Sequence, residues 1–319
     1  MIPELSVVIP SRNRWPLLRR AIASALAQTR VELEVIVVDD DSTDGSRERA
    51  EALDDPRVRV LPQPHRGVAA ARNRGVAQAR APWVALLDDD DLWAAGKSRR
   101  QLDLLVERGA EIAYSSAVVT DAALAFKRVL PAPDDGDLTA SLLGSNTIGT
   151  PSSVIARRAA LEAIDGFDER FSVLADWDAW LRLCPGRRAV ACPEPLVAYV
   201  EHDDNLHVVD TDAVLDEFAR LEARHARLAA DRGVRLGDVD WWRWIASSHR
   251  RAGRRRAAAA AYLRVGVRFR SARDVARAAA VLGGERTMAR LARTPSHPAE
   301  RERSAWAWIE QEARACASR

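Results

Sequence analysis

The stretch that decides the fold lies at residues 83–93 and reads WVALLDDDDLW. Its first half is a short apolar run after Pro82, which is typical of a buried strand. Its second half places four consecutive carboxylates, Asp88 to Asp91, at the C-terminal end of that strand. Like charges this close resist joint ionisation unless a cation or hydrogen-bond donors offset them.

The spacing of these carboxylates suggests a metal site. In an extended segment alternate side chains share a face, so we expect Asp88 and Asp90 to point one way and Asp89 and Asp91 the other. Two hard oxygen ligands on one face suit Mg²⁺ or Mn²⁺ that carries substrate phosphates. The alternative is a solvated acidic turn that caps the next helix, because runs of charge are usually solvated.

Composition narrows the class of protein. The chain has 319 residues, 47% of them hydrophobic and 29% charged, which predicts a globular protein with room for more than one domain. No apolar run approaches the roughly 20 residues that span a bilayer, and no signal peptide is expected, so we predict a cytoplasmic protein. Cys184, Cys192 and Cys316 lack CxxC spacing and are expected to be free thiols. The net charge of +2 argues against a nucleic-acid partner.

Strands and helices alternate along the first hundred residues. Residues 5–9, 33–38 and 57–61 have strand patterns like that of the Trp83 strand, and helical patterns separate them. This order predicts an α/β fold whose sheet is mostly parallel, with right-handed crossovers and helices on both faces. Ligands of such sheets bind beyond the carboxyl ends of the strands.

Three polar clusters occupy that edge: Pro10-Ser11-Arg12, Asp39-Asp40-Asp41 and the carboxylates at 88–91. We therefore expect them to converge in one crevice. The sequence contains neither a GxGxxG fingerprint nor a GxxxxGK[ST] loop. Without a glycine-rich cradle, bound phosphates would need another partner, and a metal on the acidic run is the obvious one.

Four segments in this region also form a recognisable set. They read VIPSRNR at 8–14, VVDDDSTDGS at 37–46, ARNRG at 71–75 and LDDDDLW at 87–93. In this order and spacing they resemble the N-terminal half of the family 2 glycosyltransferases. The resemblance implies a GT-A fold, a nucleotide-sugar donor, a divalent metal and inversion at the anomeric carbon.

The same resemblance implies roles for residues of the donor side. Pro10, Ser11 and Arg12 would line the nucleotide cleft, and Asp40 would hydrogen-bond the base with Asp39 beside it. Arg72 would reach the base or the diphosphate, unless it is a solvated helix arginine.

For the acidic run, the resemblance implies that Asp90 binds the metal directly. Asp88 would contact the ribose or a metal-bound water. Asp91 would face the donor sugar, and capping of the following helix is its alternative role.

The acceptor side follows in the segments GTPSSVI at 149–155 and IDGFDE at 164–169, which resemble the second half of the same family. Asp176 begins a helix, where a carboxylate can serve as a cap favoured by the helix dipole. The family makes this residue the general base that deprotonates an acceptor hydroxyl. Many relatives have an acidic pair here, but Ala175 replaces its first member. Asp178 is a rival base unless it pairs with Arg182 at i,i+4 and is structural.

His202 is the last candidate site residue. Relatives often have a histidine at this place, where it would complete the metal site or touch the diphosphate. A loop histidine without a catalytic role is the alternative.

The domain prediction places a GT-A catalytic domain at residues 1–209, with a nucleotide-binding half at 1–95 and an acceptor-side half at 96–209. Residues 210–319 form a helical region rich in arginine and tryptophan. Its tryptophans would pack on the catalytic domain or on a second subunit of a homodimer. Alternatively, its arginines would attract an anionic lipid-linked acceptor or a membrane surface, as a peripheral contact.

The sequence thus predicts an inverting, metal-dependent glycosyltransferase. It would transfer a sugar from a nucleoside-diphosphate sugar to a hydroxyl of a saccharide, lipid-linked or small-molecule acceptor. A sugar-phosphate nucleotidyltransferase is one alternative, since Arg12 and Arg14 could serve a triphosphate. A non-catalytic nucleotide-sugar-binding protein is another, given Ala175.

Overall fold

The computed structural model describes residues 2–202, 211–284 and 306–310. Its described residues form two compact units, one made of 2–139, 147–201 and 306–310, and the other of 140–146, 202 and 211–284. The predicted boundary after residue 209 falls outside the described residues and stays a prediction.

The first unit is built on a nine-stranded sheet in the order β3-β2-β1-β4-β8-β6-β9-β5, with β7 paired to β6. The strands are β1 (Leu5–Ser11), β2 (Leu33–Asp40), β3 (Val58–Gln63), β4 (Trp83–Leu86), β5 (Leu92–Trp93), β6 (Ile112–Asp121), β7 (Phe126–Leu130), β8 (Val154–Arg157) and β9 (Ala189–Glu201). Strands β1 to β4 run parallel to one another, as the alternation with helices predicts.

The second half of the sheet is mixed. Strand β8 runs antiparallel to β4 and β6, whereas β9 runs parallel to β6. Residues 188–192 and 196–200 have the sequence pattern of two short strands, but Ala189–Glu201 is one long strand, β9, whose register against β6 shifts near Ser115 and Ser116. A local irregularity therefore looked like a strand end in the sequence.

The helices are α1 (Trp15–Leu26), α2 (Ser46–Glu51), α3 (Val68–Gln78), α4 (Lys97–Arg108), α5 (Thr139–Gly144), α6 (Arg158–Glu162), α7 (Ala175–Leu183), α8 (Thr211–Asp231), α9 (Val239–Arg251), α10 (Arg255–Arg268) and α11 (Ala272–Leu282). Helix α1 has Pro16 in its first turn, where the missing N–H costs nothing, and buries Leu18, Ile22 and Ala25 on one face.

Helix α3 lies directly on the sheet because Gly75 has no side chain. A Cβ at Gly75 would stand 2.3 Å from Cγ1 of Val8 in β1. This close approach fixes where the ARNRG segment sits above the sheet, and with it the direction of Arg72.

The second unit consists of helices. Its core includes Phe218 of α8, whose ring stacks on Trp241 of α9 at a centroid distance of 4.7 Å. Asp238 caps α9 and Ser271 caps α11, each by accepting a backbone N–H of the first turn. Helices α10 and α11 meet closely at Gly266, where a Cβ would be 2.5 Å from Cγ2 of Val275. None of the helices in the described ranges is long and apolar enough to cross a bilayer.

Candidate active site

The loops that follow β1, β2 and β4 are hydrogen-bonded to one another. Strand β1 lies between β2 and β4, and all three run parallel. Ser11 Oγ at the end of β1 donates to Oδ2 of Asp89 at 2.7 Å. Asn13 joins the loop after β2, because its backbone N–H donates to Ser42 Oγ at 2.9 Å. Three polar segments that are distant in sequence thus meet at one edge of the sheet.

Residues 88–91, here called the acidic turn, do not continue β4. The strand ends at Leu86, and the N–H of Asp91 donates to the carbonyl of Asp88 at 3.2 Å. The expectation that Asp88 and Asp90 share one face of an extended segment is therefore wrong. A turn, unlike a strand, sends successive side chains to partners on several elements.

Two arginines balance the charge of the acidic turn. Arg72 Nη2 on α3 donates to Oδ1 of Asp88 at 2.6 Å. Arg14 Nη1 lies 3.1 Å from Oδ2 of Asp90 and 3.3 Å from Oδ1 of Asp89. Burial, and next the charge of Asp90, raise the pKa of Asp89 to about 7. The carboxylates of the turn therefore repel one another, and a bound cation would offset this repulsion.

Asp91 joins the acidic turn to the acceptor side. It is fully buried, accepting the N–H of Val200 at 3.1 Å and the hydroxyl of Thr150 at 3.2 Å. Burial, together with the charges of Asp90 and Asp88, raises its pKa. This position leaves the Asp91 side chain no exposed surface for the donor sugar that the resemblance implies.

Asp40 organises the loop after β3. Its Oδ1 accepts from Gln63 Nε2 at 2.7 Å and from the N–H of Arg66 at 2.8 Å, while Oδ2 lies 2.7 Å from His65 Nδ1 and accepts the N–H of Gly67 at 2.9 Å. Burial acts to raise the pKa of Asp40, but these bonds outweigh it and lower the value. Four bonds use the acceptor capacity of a carboxylate, so the expected bond from Asp40 to a nucleobase has no acceptor site left.

Asp39, one residue earlier, has different partners. It lies opposite Ser11 in β1, and its Oδ2 accepts the N–H of Ser42 at 3.2 Å. Its carboxylate thus retains acceptor capacity at the end of β2, where that of Asp40 is used.

Arg72 and Asn73 connect α3 to the IDGFDE segment. Asn73 pairs with the backbone of Phe167, donating to its carbonyl at 2.8 Å and accepting its N–H at 2.7 Å. The Arg72 guanidinium lies 5.5 Å from the centroid of the Phe167 ring. Arg72 is only 6% exposed, so the alternative of a solvated helix arginine is wrong.

Helix α7 presents two acidic residues with different surroundings. Asp178 is fully buried, accepts a hydrogen bond from Arg182 Nε at 2.8 Å and forms an ion pair with Arg182 Nη2 at 2.7 Å. Arg182 also donates to the carbonyl of Ile164. This is the i,i+4 pair that assigns Asp178 a structural role. Asp176 is 9% exposed at the first turn, and its Oδ1 accepts the N–H of Trp177.

Helix α7 also contacts the acidic turn indirectly, through a chain of packed aromatic and arginine side chains. The Trp180 ring meets Phe167 edge-on at 6.1 Å, and Phe167 in turn lies against Arg72, which binds Asp88. The helix that carries Asp176 is thus tied to the donor-side residues by direct packing.

Three predicted site residues, Pro10, Arg12 and His202, lie at the ends of strands β1 and β9. Pro10 is buried in β1 opposite Val38, and Arg12 is exposed directly after that strand. His202 is half-buried directly after β9 and precedes residues 203–210, which are not described. Within the described ranges, no three His, Cys, Asp or Glu side chains are grouped as a ready metal site.

Asp88 and Asp90 nevertheless fit a divalent cation as a pair. Their side chains are 24% and 11% exposed on one turn, and both present hard oxygen atoms. Both carboxylates are paired with arginines in this structure, which shows that they favour positively charged partners. Mg²⁺ or Mn²⁺ would be another such partner.

Several site residues were missed in the sequence. Thr150 stands inside the quoted GTPSSVI segment but was given no role, and Arg14 was named only for the triphosphate of the nucleotidyltransferase alternative. Ser152 was missed in the same way, although its hydroxyl accepts the N–H of Asp88 at 3.0 Å. Gln63 ends β3 and His65 follows it at the same sheet edge, and the rule that ligands bind beyond strand ends would have singled them out.

A sequence profile described as glycosyl transferase family 2 matches residues 6–165, about half of the chain. The chain belongs to this family. It is 30% identical over 244 residues to the succinoglycan biosynthesis protein ExoO of Rhizobium meliloti, covering 72% of this chain and 67% of that protein.

A second relative is named as a β-1,3-glucosyltransferase of Escherichia coli, WfgD, that acts from UDP-Glc on α-D-GlcNAc-diphosphoundecaprenol. It is 30% identical over 129 residues, which are 40% of this chain and 51% of that protein. The match thus spans only about half of this relative's length.

Solved structures confirm the GT-A fold. Staphylococcus aureus TarS in a complex with UDP-GlcNAc is 18% identical, with a TM-score of 0.58 over 90% of this chain and 79% of that chain. A mannosyltransferase of Pyrobaculum calidifontis, in a complex with GDP-Man and Mn²⁺, is 20% identical, with a TM-score of 0.55 over 100% of this chain and 87% of that chain. The chain is thus a glycosyltransferase by its family and has the GT-A fold.

Proposed function

We propose that the protein transfers a sugar, with inversion, from a nucleoside-diphosphate sugar to an acceptor hydroxyl. The observation that carries the proposal is the convergence of the β1, β2 and β4 ends on the acidic turn, through the bonds from Ser11 and Arg14. Donor complexes of proteins with the same fold, with UDP-GlcNAc and with GDP-Man and Mn²⁺, support it.

Asp39 and Arg72 would hold the donor. Asp39 retains acceptor capacity at the end of β2 and suits the N–H groups of a nucleobase, in place of Asp40. Arg72 keeps a buried Nε without a partner among the described residues, and its guanidinium is already fixed by Asp88 and Phe167. A donor phosphate would offer this arginine the additional acceptor that it lacks.

Asp88 and Asp90 would hold the divalent cation. When bound, Mg²⁺ or Mn²⁺ supplies positive charge that stabilises the departing nucleoside diphosphate. Arg14 would compete for Asp90, since it now lies 3.1 Å from that carboxylate. His202 stays a candidate third ligand on the strength of the resemblance alone.

Asp176 would act as the general base. It would accept the proton of the acceptor hydroxyl, whose oxygen attacks the anomeric carbon from the face opposite the diphosphate. Support comes from the pairing of Asp178, the rival candidate, with Arg182.

The experiment compares Asp176→Asn with wild type and with Glu162→Gln, a control at an exposed acid on α6. UDP-Glc, UDP-GlcNAc and GDP-Man are tested with Mn²⁺ for donor binding by calorimetry and for donor turnover by nucleotide release. We expect Asp176→Asn to bind the preferred donor as wild type does and to lose at least 100-fold in turnover. Unchanged turnover in Asp176→Asn would show that another residue is the base. Donor binding without turnover in the wild type would favour the non-catalytic alternative.

A further inference from the structure

Exposed apolar side chains are concentrated on α10 and α11. Eight large hydrophobic residues are exposed in the described ranges, and four of them lie on these two helices: Leu263 (48%), Val267 (71%), Val275 (42%) and Leu282 (58%). Single exposed apolar residues are ordinary, but a concentration in one short segment marks an interaction surface.

The same segment is strongly basic. Residues 253–284 contain eight arginines and a single acidic residue, Asp274, although the whole chain is nearly balanced at 48 basic to 46 acidic residues. Asp274 is buried and bound by Arg243 at 2.8 Å and Arg277 at 2.7 Å. The surface of α10 and α11 therefore exposes arginines without an exposed carboxylate, which the general arginine bias of the chain does not explain.

The helical period places the two kinds of residue side by side. On α10, Leu263 and Val267 are one turn apart, and the exposed Arg264 and Arg268 are one turn apart next to them. An exposed apolar pair beside an exposed cationic pair can contact both the acyl boundary and the anionic headgroups at a lipid–water interface.

We propose that the exposed faces of α10 and α11 bind the surface of an anionic lipid bilayer. The arginines attract anionic headgroups, and the apolar residues enter the boundary between headgroups and acyl chains. A nucleic acid would use the arginines but would gain nothing from Leu263 and Val267, so the combination favours lipid. This inference goes beyond the proposed transfer reaction and does not rest on it.

The test is cosedimentation of the full chain with vesicles of phosphatidylcholine, with and without phosphatidylglycerol. Two double variants are compared with wild type: Arg264→Gln with Arg273→Gln, and Leu263→Asn with Val267→Asn. The matched controls lie in the other unit and are equally exposed: Arg74→Gln on α3 and Val106→Asn on α4. Circular dichroism verifies that each variant is folded.

We expect wild type to bind phosphatidylglycerol vesicles and to release them at high salt. Each double variant should lose at least tenfold in affinity, and the controls should match wild type. Vesicle binding that is as strong in both double variants as in wild type would overturn the proposal. Two further results would also overturn it: a dimer in sedimentation velocity that dissociates in the Asn variant, or binding of single-stranded RNA that depends on the arginines while vesicle binding is absent.

Discussion

Arg72 on α3 and Asp88 on the acidic turn form an ion pair of 2.6 Å, in which the arginine is almost completely buried. The pair joins the ARNRG segment to the end of β4 and fixes the guanidinium beside the proposed diphosphate site.

Replacement of Arg72 by Met should weaken donor-nucleotide binding by about 10- to 100-fold, because a hydrogen bond between charged groups contributes about 1.5–3 kcal/mol. Calorimetry with UDP and GDP in the presence of Mn²⁺ measures the change. Arg74→Met, an exposed position two residues further along α3, serves as the control and should bind as wild type does. Equal losses in both variants would contradict a specific role for Arg72.

Asn73 and Gly166 form a second coupled pair. Gly166 has φ +65°, and a Cβ there would lie 2.4 Å from Asn73 Oδ1. Asn73→Ala removes two bonds to Phe167 and should cost about 2 kcal/mol of unfolding free energy. Gly166→Ala should cost at least as much, from the clash and from the left-handed backbone.

The double variant should be more stable than the sum of the two losses predicts, because removal of the Asn73 amide makes room for the new methyl group. Urea unfolding of wild type, the two single variants and the double variant completes this double-mutant cycle. Additivity within about 0.5 kcal/mol would show that the two residues are independent.

Asp40 should contribute stability that depends on pH. Its pKa is lowered in the folded protein, so the contribution is complete above the ordinary aspartate value and is lost as the pH falls through the folded value. At pH 7, Asp40→Asn should lose about 2–4 kcal/mol, since the amide cannot accept all four bonds. Below about pH 4 the difference from wild type should shrink. A constant difference from pH 7 to pH 3, in urea midpoints, would argue against the carboxylate as the source.

Lys97, in contrast to Asp40, should lower the stability of the folded protein at neutral pH. It is fully buried with Nζ 4.0 Å from the Trp93 ring centroid, and burial lowers its pKa from 10.5 to about 7. Between those two values the unfolded chain holds a proton that the folded chain lacks, so stability should rise with pH across this window. Lys97→Met should abolish the rise and be the more stable protein at pH 7.

Lys127, the only other lysine of the sequence, provides the matched control. Lys127→Met should keep the rise between pH 7 and pH 10. With two lysines in the chain, isotope-edited NMR of the lysine side chains can follow Lys97 directly. A Lys97 signal that titrates near the ordinary lysine value would contradict the prediction.

Features that depend on neighbours in sequence were predictable. The strands up to β4 and the helical character of residues 211–284 follow from local pattern, and helical spacing places Arg182 within reach of Asp178. The meeting of three polar segments at one sheet edge also followed, since parallel strands end on the same side.

Features that depend on distant partners were not predictable from the pattern. The acidic turn was expected to be extended. The four aspartates alone do not show that Asp91 is hydrogen-bonded to Val200 and Thr150, which are distant in sequence. Asp40 was expected to face a base, but the register of β2 against β3 brings the loop from Gln63 to Gly67 onto its carboxylate. In both cases a tertiary contact decided the role of a residue whose type was already known.

The most direct test of the central claim is calorimetric titration of UDP and GDP into wild type and Asp90→Asn, each with and without Mn²⁺. If the acidic turn binds a cation that holds the diphosphate, one nucleotide should bind wild type at least tenfold more tightly with Mn²⁺ than without it. Asp90→Asn should remove that dependence, while the surface control Glu162→Gln should keep it. Nucleotide affinity that is equal in all four conditions, or no binding by wild type at all, would contradict the account.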